Sequence, residues 1–249
     1  MFNISYKKND NNELFSTLES KYGFSKLQNY IPIYRKFFSL NDNTYNNINL
    51  NHRYSIQNIK EKKGNNVYVL GLNDEKQKTT KKSFFKFSPL MDPVKYMVGK
   101  YDNITKEMRT TLPKLNENTS MKKILDVNNS AYVDSFFSYL SSIAYHHHKF
   151  PNGLDFYGSF LGIQESHSFN ICDDLEYLYD SDYFHKWNGE LFKTDDINEG
   201  ISGIEGFFDK ELNSEEKMYT PLTLTLDSNL QYLIREELIK AQSNFKNIG

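Results

Sequence analysis

The sequence predicts an α+β fold in which a twisted antiparallel sheet carries a packed helix. Two observations predict it. Three runs rich in β-branched and aromatic residues, within 53–59, 67–72 and 83–88, follow one another through polar turns, as in an antiparallel meander. A later run, 130–145, sets Val133, Phe136, Phe137, Leu140, Ile143 and Ala144 at helical spacing. The order of elements is helices, three strands, a helix, two strands and a mixed tail, which is α+β.

Residues 1–40 read as helical. Leu14, Phe15 and Leu18 form an apolar stripe in 12–21, and a denser cluster from Tyr30 to Phe38 is interrupted by Pro32. Asn41 to Asn51 is turn chemistry and reads as a linker. In the first strand Tyr54, Ile56 and Asn58 alternate with Ser55, Gln57 and Ile59, and Lys60 to Asn66, with Gly64, is a turn. Val67 to Leu72 is the clearest strand. After a polar loop, Asn73 to Lys82, the third strand runs from Ser83 to Ser88 and stops at Pro89. Asp92-Pro93 is a helix start, with Val94, Met97 and Val98 on one face. Asn128, Asn129 or Ser130 caps the long helix, which ends in three histidines whose charge would favour its dipole. Residues 154–163 and 168–172 read as further strands, Gly158 and Gly162 marking bends or close backbone approach. A short strand at 222–226 and an amphipathic helix at 230–242 close the chain. The divisions expected are 1–50, a helical extension; 51–190, the α+β domain; and 191–249, a variable tail.

Thirty basic residues stand against 32 acidic ones, a net charge of −2, which argues against a chain held mainly by nucleic-acid phosphates. Mean hydropathy is low at −0.68, yet 15% of residues are aromatic, too many for a disordered chain. The lone Cys172 excludes an intrachain disulfide framework. Apolar runs fall far short of the ~18 residues of a membrane span, and no signal-peptide pattern opens the sequence. The chain reads as soluble and intracellular, without nucleic-acid or membrane partners. Twenty-eight Asn against three Ala reflect AT-rich coding and carry no mechanism.

Lys86 stands in the third strand between Phe85 and Phe87. If its face is covered, the ammonium must meet a carboxylate or a phosphate, because burying it alone costs several kcal/mol. Otherwise it is a solvated lysine that discourages edge pairing. Asp134 borders the apolar face of the long helix; it is a partner for Lys86 or simply a first-turn acid that suits the helix dipole. His146, His147 and His148 point in different directions on a helix and lack a second ligand cluster, which speaks against a metal site. Cys172 reads as a small buried hydrophobe. Asp173, Asp174, Glu176, Asp180 and Asp182 lack calcium-loop spacing and read as a solvated edge. Gly64 is a weak phosphate cradle.

Three antiparallel strands with a lysine in the third, then a helix bearing an acid, resemble the smaller, N-terminal lobe of a protein kinase. The strings Phe-Phe-Lys-Phe-Ser-Pro-Leu-Met-Asp-Pro-Val-Lys-Tyr-Met-Val-Gly-Lys-Tyr (84–101), Asn-Ser-Ala-Tyr-Val-Asp-Ser-Phe-Phe-Ser-Tyr-Leu (129–140) and Leu-Asp-Phe-Tyr-Gly-Ser-Phe-Leu-Gly-Ile (154–163) are similar to a divergent serine/threonine protein kinase-like family of giant, mimivirus-like DNA viruses. The likeness covers about residues 25–190. It implies that Lys86 contacts nucleotide phosphates, that Asp134 replaces the usual Glu as its ion-pair partner, and that Gly64 is the remnant of the glycine-rich loop. Glu176, Tyr177 and Leu178 resemble a kinase hinge. It also implies ATP as ligand, with magnesium only if a C-terminal lobe is present, and a location in host cytoplasm or virion. No histidine is followed by x-Asp, and Asp155-Phe156-Tyr157-Gly158 is not Asp-Phe-Gly, so no catalytic residue is assigned. The expectation is an N-lobe-like portion that does not transfer phosphate alone, its partner being the missing lobe or another protein. The alternative is a non-catalytic, pseudokinase-like scaffold.

Overall fold

The computed structural model describes residues 4–194 apart from 52, 65, 75, 118–120 and 165. The strand expected at 222–226 and the helix at 230–242 lie outside the described residues, as does nearly all of the 191–249 tail. The fold is mixed α+β with small antiparallel sheets. A short strand β1 (Lys7–Lys8) leads into helix α1 (Asn12–Tyr22), whose Leu14, Phe15 and Leu18 are buried as the spacing predicts. Gly23 ends it in the left-handed conformation, which glycine adopts at no steric cost. The expected helix does not continue. Strand β2 (Phe24–Gln28) follows, then one 3-10 turn, Pro32–Lys36, in which proline takes the first position where its missing N–H is no loss.

Strand β3 (Ile48–Asn49) pairs with β1, and the meander is β4 (Ser55–Gly64), β5 (Val67–Asn73) and β6 (Lys78–Phe84) in that order. The third strand thus sits about four residues earlier than expected. Its sequence is polar because it is an edge strand, and the aromatic residues 84, 85 and 87 lie at and beyond its end. Short helices α2 (Pro93–Met97), α3 (Lys106–Arg109) and α4 (Lys122–Leu125) precede the long helix α5 (Ser130–His148). Asp92 caps α2 through Val94 and Lys95 N–H, and Asn129 caps α5 through Ala131 N–H at 3.1 Å.

The helix that packs on the meander is α1, not α5. Leu14, Phe15 and Leu18 share one buried cluster with Tyr54, Ile56, Ile59, Tyr68, Leu70 and Leu72. Helix α5 belongs to a second cluster with Ile31, Ile33, Tyr34, Ile48 and Leu50. Its buried face is also rotated from the predicted stripe. Tyr132 and Tyr139 are buried because each hydroxyl reaches a backbone carbonyl, of Ile124 at 2.8 Å and Ser5 at 2.7 Å. Val133 and Phe137 are left exposed.

Strand β7 (Leu161–Gln164) is all that forms a ladder within 154–163, and it pairs antiparallel with β2. Gly162 fits because a Cβ there would strike the Leu27 side chain, 2.5 Å away. The β2–β7 pairing and both clusters cross residue 50, so residues 4–50 are built into the same body as the meander. Residues 168–171 carry no strand. A 3-10 turn at Cys172–Asp174 leads into α6 (Leu175–Tyr179) and α7 (Asp182–Trp187), which close a third cluster of Met97, Leu178 and Phe184. Among the described residues no helix is long and apolar enough to cross a membrane.

Candidate functional site

Antiparallel pairing brings Gly64 and the approach to Lys86 to one end of the meander, and α5 brings Asp134 to Lys86 there. Gly64 pairs with Val67, Val67 pairs with Phe84, and Phe85 N–H donates to Asn66 C=O at 2.8 Å, so the β4–β5 turn abuts the segment that leaves β6. Lys86 lies two residues past the strand, a correction to its expected place inside it. Its Nζ nevertheless meets Asp134 Oδ2 of α5 at 2.8 Å. The side chains are 63% and 44% exposed, so this is a solvent-open pair whose net stabilisation is ~0–1 kcal/mol. Its ammonium remains accessible to an anion. Gly64 faces open space and has no positive φ; among the described residues of that turn the left-handed one is Asn66.

Glu176, Tyr177 and Leu178 do not join the pair. A hinge offers extended backbone, whereas these residues stand on α6, where Asp180 N–H donates to Glu176 C=O and Leu178 is fully buried. Among the described residues no group of three or more His, Cys, Asp or Glu side chains is arranged to hold a metal ion.

A second, more enclosed cluster escapes the sequence reading. Lys81 on β6 pairs with buried Leu70, which places it on the core face of an edge strand. Its Nζ reaches Asp155 Oδ2 at 3.1 Å and lies 4.6 Å from the Tyr54 ring centroid. Asp155 also takes His146 Nε2 on Oδ1 and the Tyr157 hydroxyl on Oδ2, both at 2.9 Å. An ionised carboxylate only accepts, so Nε2 of His146 carries the proton. Burial pushes the Asp155 carboxyl up, but hydrogen bonds from His146 and Lys81, the Lys81 charge and the Tyr157 hydroxyl outweigh it and hold it below its ordinary value. The same geometry, burial first and the neighbouring carboxylate second, drives the Tyr157 phenol upward.

The backbone is fixed on both sides of Asp155. Leu154 N–H donates to Ser141 Oγ at 3.0 Å and Phe156 N–H to Ser142 Oγ at 3.1 Å. Just upstream, Gly153 runs 2.6 Å (at its would-be Cβ) from the Ser141 carbonyl, where no side chain fits. The cluster therefore ties α5, β6 and the 154–157 segment together. The signal for it lay in parity: the residue opposite Leu70 faces inward, and a strand placed at 78–84 makes that residue a lysine.

The chain matches no family model, no curated protein and no solved structure.

Proposed function

We propose that this chain binds nucleotide phosphate at the open end of the meander, as a kinase N-lobe-like protein that does not transfer phosphate alone. Lys86 is the phosphate contact and Asp134 the carboxylate that orients its ammonium, with the Gly64 turn beside them. One observation carries this reading: a strand-end lysine and a helix acid, 48 residues apart, meet at 2.8 Å beside the first hairpin turn of the sheet. ATP fits as an anion for an accessible ammonium. Thermal denaturation with and without ATP tests it. ATP should raise the melting temperature of the parent and leave that of Lys86→Ala unchanged; a parent that ignores ATP overturns the reading.

A scaffold reading is favoured by a different observation. Phe137 is 69% exposed, one turn along α5 from Val133, which is also exposed. On that reading nucleotide leaves the melting temperature unchanged, and Phe137→Ser, not Lys86→Ala, abolishes partner binding.

A further inference from the structure

Net charge averages over two unlike parts of the molecule. Between Ser55 and Phe84 there are seven lysines and three acids, within a chain whose total is −2. The meander buries one face under α1, and side-chain alternation sends Lys78, Thr80, Lys82 and Phe84 of β6 to the other. On that outer face Thr80 pairs with Gly71 of the central strand, and Gly71 pairs with Asn58.

Because Gly71 has no side chain, its neighbours lie over it. A Cβ there would collide with Asn58 Oδ1 and sit 3.6 Å from Lys60 Cε. Lys60 thereby crosses the central strand, and its Nζ donates to Thr80 Oγ1 at 2.8 Å. Thr80 stands midway between Lys78 and Lys82, each about 7 Å along the strand. Lys60 thus shares one exposed sheet face with Lys78 and Lys82, and Glu61, opposite Val69 in line with Lys82, is the carboxylate on that face. Among the described residues none of the three lysines forms an ion pair, whereas Lys63, Lys81 and Lys86 each have a carboxylate partner. Like charges on neighbouring strands are unfavourable, and among the described residues the one carboxylate of this face, Glu61, pairs with Lys63, so three lysines face one acid that is already engaged. Edge protection explains lysines on β4 and β6, but it does not require one of them to lean across the sheet toward the other two.

We propose that this face binds a single-stranded nucleic acid, its phosphates on Lys60, Lys78 and Lys82. A polymer with one negative charge per unit matches a row of cations better than an isolated anion does. At the end of the row the half-buried Phe84 ring shares the face and supplies a stacking surface for a base, which an acidic peptide would leave unused. A basic sheet face with an aromatic residue suits unpaired bases rather than a duplex.

The test is fluorescence anisotropy of the full chain with a labelled oligo(dT) of about 20 nucleotides. Three phosphate contacts predict a salt slope of about −2, hence roughly 20-fold weaker binding between about 50 and about 200 mM KCl. Lys60→Gln, Lys78→Gln and Lys82→Gln should each flatten the slope by about 0.7. The triple variant should lose at least ~10-fold in affinity at the lowest salt and melt no lower than the parent. Phe84→Ala should weaken binding without changing the slope, while Lys21→Gln, on the helix covering the opposite face, should change neither. Absence of binding at the lowest salt, or a slope untouched in the triple variant, overturns the proposal. Competition by poly-glutamate equal to that by unlabelled oligo(dT), or preference for duplex, overturns the assignment to single strands.

Discussion

Replacing Asp155 by alanine should be among the more damaging single changes away from the apolar core. The carboxylate accepts from His146 and Tyr157 at 2.9 Å and from Lys81 at 3.1 Å, and its side chain is only 21% exposed. Hydrogen bonds to a charged group contribute about 1.5 kcal/mol or more each, which gives about 3 kcal/mol for the two from His146 and Tyr157. Lys81 is more than one-third exposed and re-solvates, so its pair adds only ~0.2–1 kcal/mol. A loss of about 3 kcal/mol corresponds to a fall in Tm of roughly 6–12 °C for a domain of this size. Urea denaturation of parent and variant measures the difference directly. Repeating it in acid adds a second check. The native carboxyl titrates below its ordinary value of 3.8, so the parent's advantage is complete above that value. It should then shrink as the pH falls through the lower native value. A loss under about 1 kcal/mol at neutral pH, or a difference that grows in acid, would refute the account of the cluster.

Three further outcomes follow from the same geometry. Asn29→Ala should cost about 3 kcal/mol or more in urea denaturation, because its fully buried amide donates to the Asp10 and Asn46 carbonyls at 3.0 and 2.8 Å and accepts from Asn11 at 2.6 Å. A cost below ~1 kcal/mol would mean that water replaces those bonds. Lys86→Ala should change stability by no more than ~1 kcal/mol in the absence of nucleotide, since its pair is open to solvent; a larger loss in calorimetry would show that Lys86 is structural. Tyr34→Phe should be neutral or stabilising, because the buried Tyr34 hydroxyl has no hydrogen-bond partner among the described residues. A fall in Tm on its removal would reveal a partner for that hydroxyl.

Helix α5 was legible because it is long, capped and periodic, but its orientation was not. Apolarity alone pointed to Val133 and Phe137, while the buried positions went to tyrosines that could reach a carbonyl of Ile124 or Ser5. The second strand was legible from its β-branched residues. The third was drawn toward Phe84, Phe85 and Phe87, whereas the ladder uses Lys78 to Phe84. Pairings of β1 with β3 and of β2 with β7 leave no local trace, since strands of two to five residues are specified by distant partners. The same division holds for the site. The pairing of Lys86 with Asp134 was one of two readings the residues offered, although Lys86 was expected inside the third strand and stands past its end. Lys81, His146 and Asp155 meet only after the chain from α5 turns back along β6, and that turn depends on Gly153 and two serine hydroxyls.

The ladder between β2 and β7 joins Phe24 to Gln164, about 140 residues later. During synthesis at roughly 5–20 residues per second, the early strand waits several seconds or more for its complement. Until then Leu27 and its neighbours have an open edge, so the nascent chain depends on delayed closure, and a ribosome stalled before Gly162 would display an unpaired template for aggregation.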